Sequence, residues 1–351
     1  MAKARAQTAE AAVPAVLRRY RPHLSAELRR SLDGRANPVY HLLRYYMGWV
    51  DVEGRPAHGT EGKALRPSLC LYACEAVGGT VHQATPVAVA LELIHNFSLI
   101  HDDIQDQDET RHHRPTLWKV WGVPKAIVAG NVMRVVADMA VAQLLDRGVP
   151  PARALKATEL LTATYLEMIE GQYLDLSYEG RPDIGLDQYL DMISRKTGAL
   201  IRSSLTLGAI IGTDRRETVE AFQECGRALG YVFQIRDDIL GVWGDEGTTG
   251  KPVGADIRRK KNSFPVVYTL STVTGADRQY LLEAYSRPEL DDEQVAGVLA
   301  VMERAGARER AQEMAAHHCR RALEALSGAT LGDAHRRDME ELAHFLLVRE
   351  A

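Results

Sequence analysis

PVAVALELIHNFSLIHDDIQDQDETRHHRPTLW, residues 86–118, is the stretch on which the fold and the chemistry turn. Its first half is apolar on nearly every side, as in a helix buried in the middle of a bundle. That helix runs into Asp102, Asp103 and Asp106. Acids at i, i+1 and i+4 read as sharing one helix face. Three carboxylates emerging from an apolar core repel one another and need a cation. Hard oxygen donors with room for water suit Mg²⁺, which typically joins carboxylates to substrate phosphates. Arg111 and Arg114 follow at once and suit phosphate oxygens. The stretch predicts a metal-bridged phosphate at the mouth of an apolar shaft.

The rest of the chain agrees with a helical protein. Apolar residues make up 46% of 351, ample for a core. Aromatics are 6% while Ala, Leu and Val abound, which favours helix over sheet. A net charge of −4 gives no reason to expect a nucleic-acid surface. No apolar run near 18 residues is free of polar groups, so no membrane span is expected. MAKARAQTAEAA lacks the apolar centre of a signal peptide. Cys70, Cys74, Cys225 and Cys319 read as reduced thiols, and the expected location is cytoplasmic.

Residues 1–35 read as a helical arm interrupted near Pro22, and Asn37–Val50 as a helix. A helix over Pro67–Val77, the central helix, long helices over 125–147 and 152–180, and a further pair from Leu186 follow. Asp291 with Gln294 makes a capping box. No alternating strand pattern and no short repeat is evident. The expectation is one all-α domain over 1–351, a large helix bundle around a deep central cavity.

A second acidic helix end lies at Asp237 and Asp238, in FQIRDDILGVWGD. Either motif alone reads as a solvated helix end. Two, each on an apolar helix and each followed by a basic loop, suggest Mg²⁺ ions around one polyphosphate. The loop GDEGTTGKPVGADIRRKKNSFP lacks periodicity. It is not a nucleotide-binding P-loop, because Pro252 stands where Ser or Thr is needed. His112–His113 and His317–His318–Cys319 lack partners at metal-site spacing.

LIHDDIQDQDETR and FQIRDDILG resemble the first and second aspartate-rich motifs of the trans-isoprenyl diphosphate synthases, or polyprenyl synthetases. Further matches occur in family order over about residues 35–345. GKALRP resembles the family's GKxLRP, which implies that Lys63 and Arg66 bind isopentenyl diphosphate; His95 matches another contact of that substrate. Lys196 and Thr197 match the pair beside the allylic substrate, Gln234 the FQ glutamine, and Lys251 and Lys261 the two loop lysines. The resemblance implies an all-α fold, three Mg²⁺ ions held by Asp102, Asp106 and Asp237, two diphosphate substrates and a homodimer. It puts Asp102, Asp103, Asp106, Lys196, Thr197, Gln234, Asp237, Asp238 and Lys251 in the catalytic set. Lys63, Arg66, His95, Arg111, His112 and Lys261 become substrate contacts, and Phe97 and Ser98 the floor that sets chain length at C15 or C20.

Three positions depart from the family. His112 and His113 stand where a second arginine and a glycine are usual. Gly241 replaces the third aspartate of the second motif, with Asp245 one turn on, and Asn131 stands where Asp is frequent. Two rivals use the same ionisation or the same fold. A terpene cyclase would need a second motif of NDxxSxxxE type, which this chain matches poorly. A non-catalytic subunit of a heteromeric synthase would be expected to lose aspartates that are present here.

Overall fold

The computed structural model describes residues 13–57, 62–244 and 252–349. In chain order the first helices are α1 (Ala15–Leu32), α2 (Val39–Tyr46), α3 (Leu65–Ala76) and α4 (Val81–Gln105). Strands β1 (Thr110–Arg111) and β2 (Arg114–Pro115) form a hairpin. Then come α5 (Leu117–Trp121), α6 (Val123–Val141) and α7 (Pro151–Tyr178). They are followed by α8 (Leu186–Ile193), a π-helical turn (Ser194–Gly198), α9 (Ala199–Gly212) and α10 (Arg216–Trp243). The chain continues through α11 (Ala255–Arg258), α12 (Phe264–Thr272), α13 (Gly275–Ser286), α14 (Asp292–Arg304), α15 (Ala307–Ala325) and α16 (Asp333–Val348). The all-α expectation holds. The chain divides into two compact units, residues 1–161 with 204–219, and residues 162–203 with 220–351.

In the first unit α4 is the core element. A capping box of Thr80 and Gln83 starts it, and every residue from Ala84 to Ile94 is buried. It packs most extensively on α6 and α3. Small residues allow the close approach: a Cβ on Gly130 of α6 would lie 2.3 Å from the His101 ring. Likewise, a Cβ on Gly208 of α9 would lie 2.2 Å from the Cys70 carbonyl oxygen of α3. Helix α1 is continuous through Pro22, contrary to the interruption expected there. Its buried stripe of Val16, Leu17, Tyr20, Leu24, Leu28 and Leu32 explains this. At about 1.5–3 kcal/mol per buried side chain, the stripe outweighs the roughly 3 kcal/mol cost of an interior proline.

In the second unit α12 joins two apolar clusters. One includes Val242, Ile257, Val266, Leu270 and Val298; the other includes Tyr189, Ile235, Ile239, Phe264 and Val267. The π-helical turn is wedged between two helices at glycines. A Cβ on Gly171 of α7 would lie 2.2 Å from the Lys196 nitrogen, and one on Gly230 of α10 would lie 2.8 Å from the Gly198 Cα. The Asp291–Gln294 capping box forms as expected. All four cysteines are free and buried.

The segment Val123–Leu144 is long and apolar enough to cross a membrane by length and composition alone, although Lys125, Asn131, Arg134, Asp138 and Gln143 interrupt it, so it is not a run free of polar groups. One face of α6 is nevertheless buried in the protein, through Ala126, Ala129, Met133, Ala137 and Ala140. Its other face exposes Ile127, Val128, Val135 and Met139, and Asn131 sits among them. The Arg134–Asp138 ion pair also lies on this helix.

Candidate active site

In the first unit the acidic end of α4 divides its carboxylates. Asp102 and Asp106 are half-buried, one turn apart on the last turn. Asp103 is buried, 1% exposed, and accepts from Arg111 Nε at 2.6 Å. The i+1 position lies about 100° around the helix, so Asp103 turns inward and does not share the face of Asp102 and Asp106. Desolvation pushes the Asp103 carboxyl up to about 6, against the pull of Arg111.

Arg111 is delivered by the β1–β2 hairpin, which appeared as a loop in the sequence. Its two-residue turn is His112–His113, with φ of +51° and +60°. Such turns favour Asn-Gly because both central residues need positive φ. Two histidines there are strained backbone at the rim of a cleft. Arg114 is not available to a phosphate: it donates to the carbonyls of Tyr45 (3.0 Å) and Val50 (2.6 Å) and stacks on Tyr45.

The cleft is lined by Gly62, Ala64, His95, Asn96, Arg111 and His112, among others. Ala64 adopts φ of +48°, the left-handed turn that links Lys63 to the start of α3. Arg66 is buried and its Nη1 lies 3.2 Å from His95 Nε2. Arg66 can only donate, so Nε2 accepts and the ring proton is assigned to Nδ1. Desolvation, then the charges of Arg66, Arg111 and His112, hold His95 well below the ordinary histidine range. Partial desolvation and the charges of Arg111 and His113 also lower His112. Lys63 is exposed at the edge of this cationic cluster. Glu92 also lines the cleft, and Asn96 donates to its carboxylate at 3.3 Å. Burial raises the Glu92 carboxyl.

Deeper on α4, Ser98 Oγ donates to the His95 carbonyl at 2.7 Å. Phe97 is buried and meets His101 edge to face at 5.2 Å.

In the second unit the π-helical turn presents Lys196 and Thr197. Such turns are frequent at functional sites. Lys196 pairs with Asp175 of α7. Asp175 ends the polar run EGQYLD, residues 170–175, which is the sequence signal for it. Thr197 Oγ1 donates to Gln234 Oε1 at 2.6 Å, and Gln234 Nε2 donates to Asp238 Oδ1 at 2.9 Å. The other Asp238 oxygen accepts from the Tyr189 hydroxyl and from the Phe264 N–H at 2.7 Å. Burial, then nearby Asp256, pushes Asp238 up to about 7 despite those donors.

Asp238 thus mirrors Asp103. In each acidic pair the second carboxylate is buried and bonded within the protein, and the first is the more exposed. The Asp237 side chain is 37% exposed and pairs with Arg349. At Gly241 an added Cβ would lie 2.1 Å from an Asp256 carboxylate oxygen, so this carboxylate fills the space beside the glycine. Lys261 is half-buried. Lys251 and Asp245 lie outside the described residues. Among the described residues no group of three or more His, Cys, Asp or Glu forms a preassembled metal cage.

The sequence pattern of the polyprenyl synthetase family matches residues 55–302. A (2E,6E)-farnesyl diphosphate synthase from Mycobacterium bovis is 37% identical over 323 residues, 91% of this chain and 88% of that protein. A geranylgeranyl diphosphate synthase from Mycobacterium tuberculosis is 37% identical over 316 residues, 90% of this chain and 89% of that protein. The crystal structure of a polyprenyl synthetase from Streptomyces coelicolor superposes with a TM-score of 0.89 at 37% identity, covering 96% of this chain and all of that one.

Proposed function

The chain belongs to the polyprenyl synthetase family, and from that premise we propose that it is a short-chain trans-prenyltransferase. It condenses isopentenyl diphosphate with an allylic diphosphate, head to tail, to give geranylgeranyl diphosphate in preference to farnesyl diphosphate. The observation that carries this reading is the repeated division of the acidic pairs, one carboxylate held inside and its neighbour turned outward. Relatives named for the C15 and the C20 product are equally similar, 37% each, so the family supports the class more strongly than the length.

The chemistry of the donor set fits Mg²⁺. Two half-buried carboxylates one turn apart make an incomplete hard-oxygen set of the kind that would suit Mg²⁺. Asp102, Asp106 and Asp237 would hold three ions. Bound there, Mg²⁺ supplies Lewis-acid stabilisation of the leaving diphosphate. Lys196 and Lys251 add positive charge where negative charge develops. The hydrogen bond from Thr197 to Gln234 leaves the hydroxyl's lone pairs as the negative dipole end nearest an allylic cation.

Lys63, Arg66, Arg111 and His112 bind the diphosphate of the second substrate, with neutral His95 aligned by Arg66, and Lys261 is a further substrate contact. Its double bond attacks the allylic carbon as the carbon–oxygen bond to the diphosphate breaks. The proton is lost to the released diphosphate, since no side chain is an obvious base. This cationic cleft favours a synthase over a cyclase, which has no second diphosphate to bind.

We also propose one cytoplasmic domain that pairs as a homodimer, a second copy covering the exposed apolar face of α6. Lipid is a poorer partner, because Arg134 and Asp138 would each cost about 2.5–3.5 kcal/mol at a bilayer centre. The test is incorporation of labelled isopentenyl diphosphate into C5, C10 and C15 allylic diphosphates with Mg²⁺. Incorporation abolished by EDTA and by Asp102→Ala supports the reading; incorporation that survives both rejects it.

A further inference from the structure

Arg349 follows the last turn of α16 and leaves the helix in extended backbone. Its side chain is 8% exposed. Nη2 donates to the Phe233 carbonyl at 3.1 Å and to Oδ1 of Asp237. The guanidinium stacks on the Phe233 ring at 4.1 Å, and the Arg349 carbonyl accepts from Arg236 Nε at 2.8 Å. Arg349 is therefore fixed at both its backbone and its head to consecutive turns of α10. The one nitrogen left buried without an acceptor is Nε.

That pattern is informative. An arginine recruited only to tie α16 to α10 would satisfy its nitrogens on carbonyls. This one leaves Nε unsatisfied and brings Nη2 onto a carboxylate. The pair is also one-armed, not the two-bond fork that arginine makes when it saturates a carboxylate. Among the described residues Asp237 makes no other hydrogen bond or ion pair, so its second oxygen is left open. We infer that Arg349 is a positioning residue: it fixes the outward carboxylate of the second acidic motif by one oxygen and leaves the other for a divalent cation. The inference rests on the reading of Asp237 as a metal ligand. Two effects of Arg349 oppose each other. Its charge disfavours a second cation on the same carboxylate, while its hydrogen bond orients that ligand. Partners that orient a ligand typically change metal affinity by about 10–100-fold when lost, and orientation is taken to win.

The test measures Mn²⁺ binding to the full chain in excess inorganic pyrophosphate, by loss of the free-ion electron paramagnetic resonance signal. Arg349→Ala should weaken the pyrophosphate-dependent sites by about 10–100-fold, and Arg349→Lys should recover part of the loss. Asp237→Asn should weaken them too, and adding Arg349→Ala to Asp237→Asn should cost nothing further. Unchanged or tighter binding in Arg349→Ala, or additive losses in the double variant, overturns the inference. If Asp237→Asn itself binds Mn²⁺ normally, the metal-ligand reading fails and the role of Arg349 fails with it. Thermal melts show which variants fold. If Arg349→Ala does not fold, Arg349→Lys decides, with binding below wild type expected and wild-type binding overturning the role.

Discussion

Gly171→Ala is the perturbation whose effect follows most closely from the coordinates. The added methyl would sit 2.2 Å from the Lys196 nitrogen and 2.7 Å from the carbonyl carbon of Arg195. Ordinary contact begins near 3.5 Å, so the backbone of the π-helical turn must retreat by roughly 1 Å. Backbone cannot swing aside as a side-chain tip can. Overpacking costs about 1–3 kcal/mol, and the helix propensity of Ala over Gly returns about 1 kcal/mol. The net loss is about 0–2 kcal/mol, so the variant folds. Lys196 and Thr197 ride on the displaced turn, and a 1 Å misplacement of catalytic groups costs on the order of 10²-fold in rate. Steady-state prenyl transfer and a thermal melt, run beside Gly328→Ala, test this. Gly328 has nothing within 4 Å of the added carbon and serves as the neutral control. A Gly171→Ala enzyme with wild-type kcat would refute the claim that this close approach positions Lys196.

His113→Gly should stabilise the protein by a few tenths to about 1 kcal/mol, because it relieves a left-handed residue that costs 1–2 kcal/mol against the entropy of glycine; the urea midpoint should rise, and a lower midpoint contradicts the strained turn. Phe97→Ala should lengthen the product by about one isoprene unit if Phe97 is the floor, each buried CH₂ of the longer chain contributing about 0.8 kcal/mol; an active variant with unchanged chain length puts the floor elsewhere. His318 stacks on Tyr231, and burial with the charges of His317 and Arg321 lowers it to about 4. It binds fewer protons folded than unfolded between about pH 6.5 and 4, so stability falls as pH drops through that window. His318→Phe should flatten the slope there, and parallel pH–stability curves for the two proteins would exclude that role.

Much of the fold was legible because long helices with one or more buried faces advertise themselves in apolar spacing. The acidic ends of α4 and α10 were legible for the same reason: acids terminating an apolar helix are conspicuous. The helical period separates the two members of each pair, but it could not decide which of them turns inward. Whether Asp103 and Asp238 turn inward depends on Arg111, Tyr189 and the Phe264 N–H, which arrive from distant sequence. The hairpin was hidden because His112–His113 lacks the glycine that signals its turn. The π-helical turn has no compositional mark; the close approach of Gly171 and Gly230 to it appears only in the fold. Arg349 lies 112 residues from its carboxylate, just past a helix with no other site residue, so only the fold could bring it forward. At Pro22 local propensity points to a break, and the buried stripe of α1 overrides it.

The account stands or falls on the mass and shape of one product. The purified chain is given farnesyl diphosphate, isopentenyl diphosphate and Mg²⁺, and the dephosphorylated product is separated and weighed by mass spectrometry. The account predicts a linear all-trans C20 alcohol whose label comes from isopentenyl diphosphate. A cyclised C15 hydrocarbon, formed without isopentenyl diphosphate, would contradict it, as would no condensation with any of the C5, C10 and C15 allylic diphosphates.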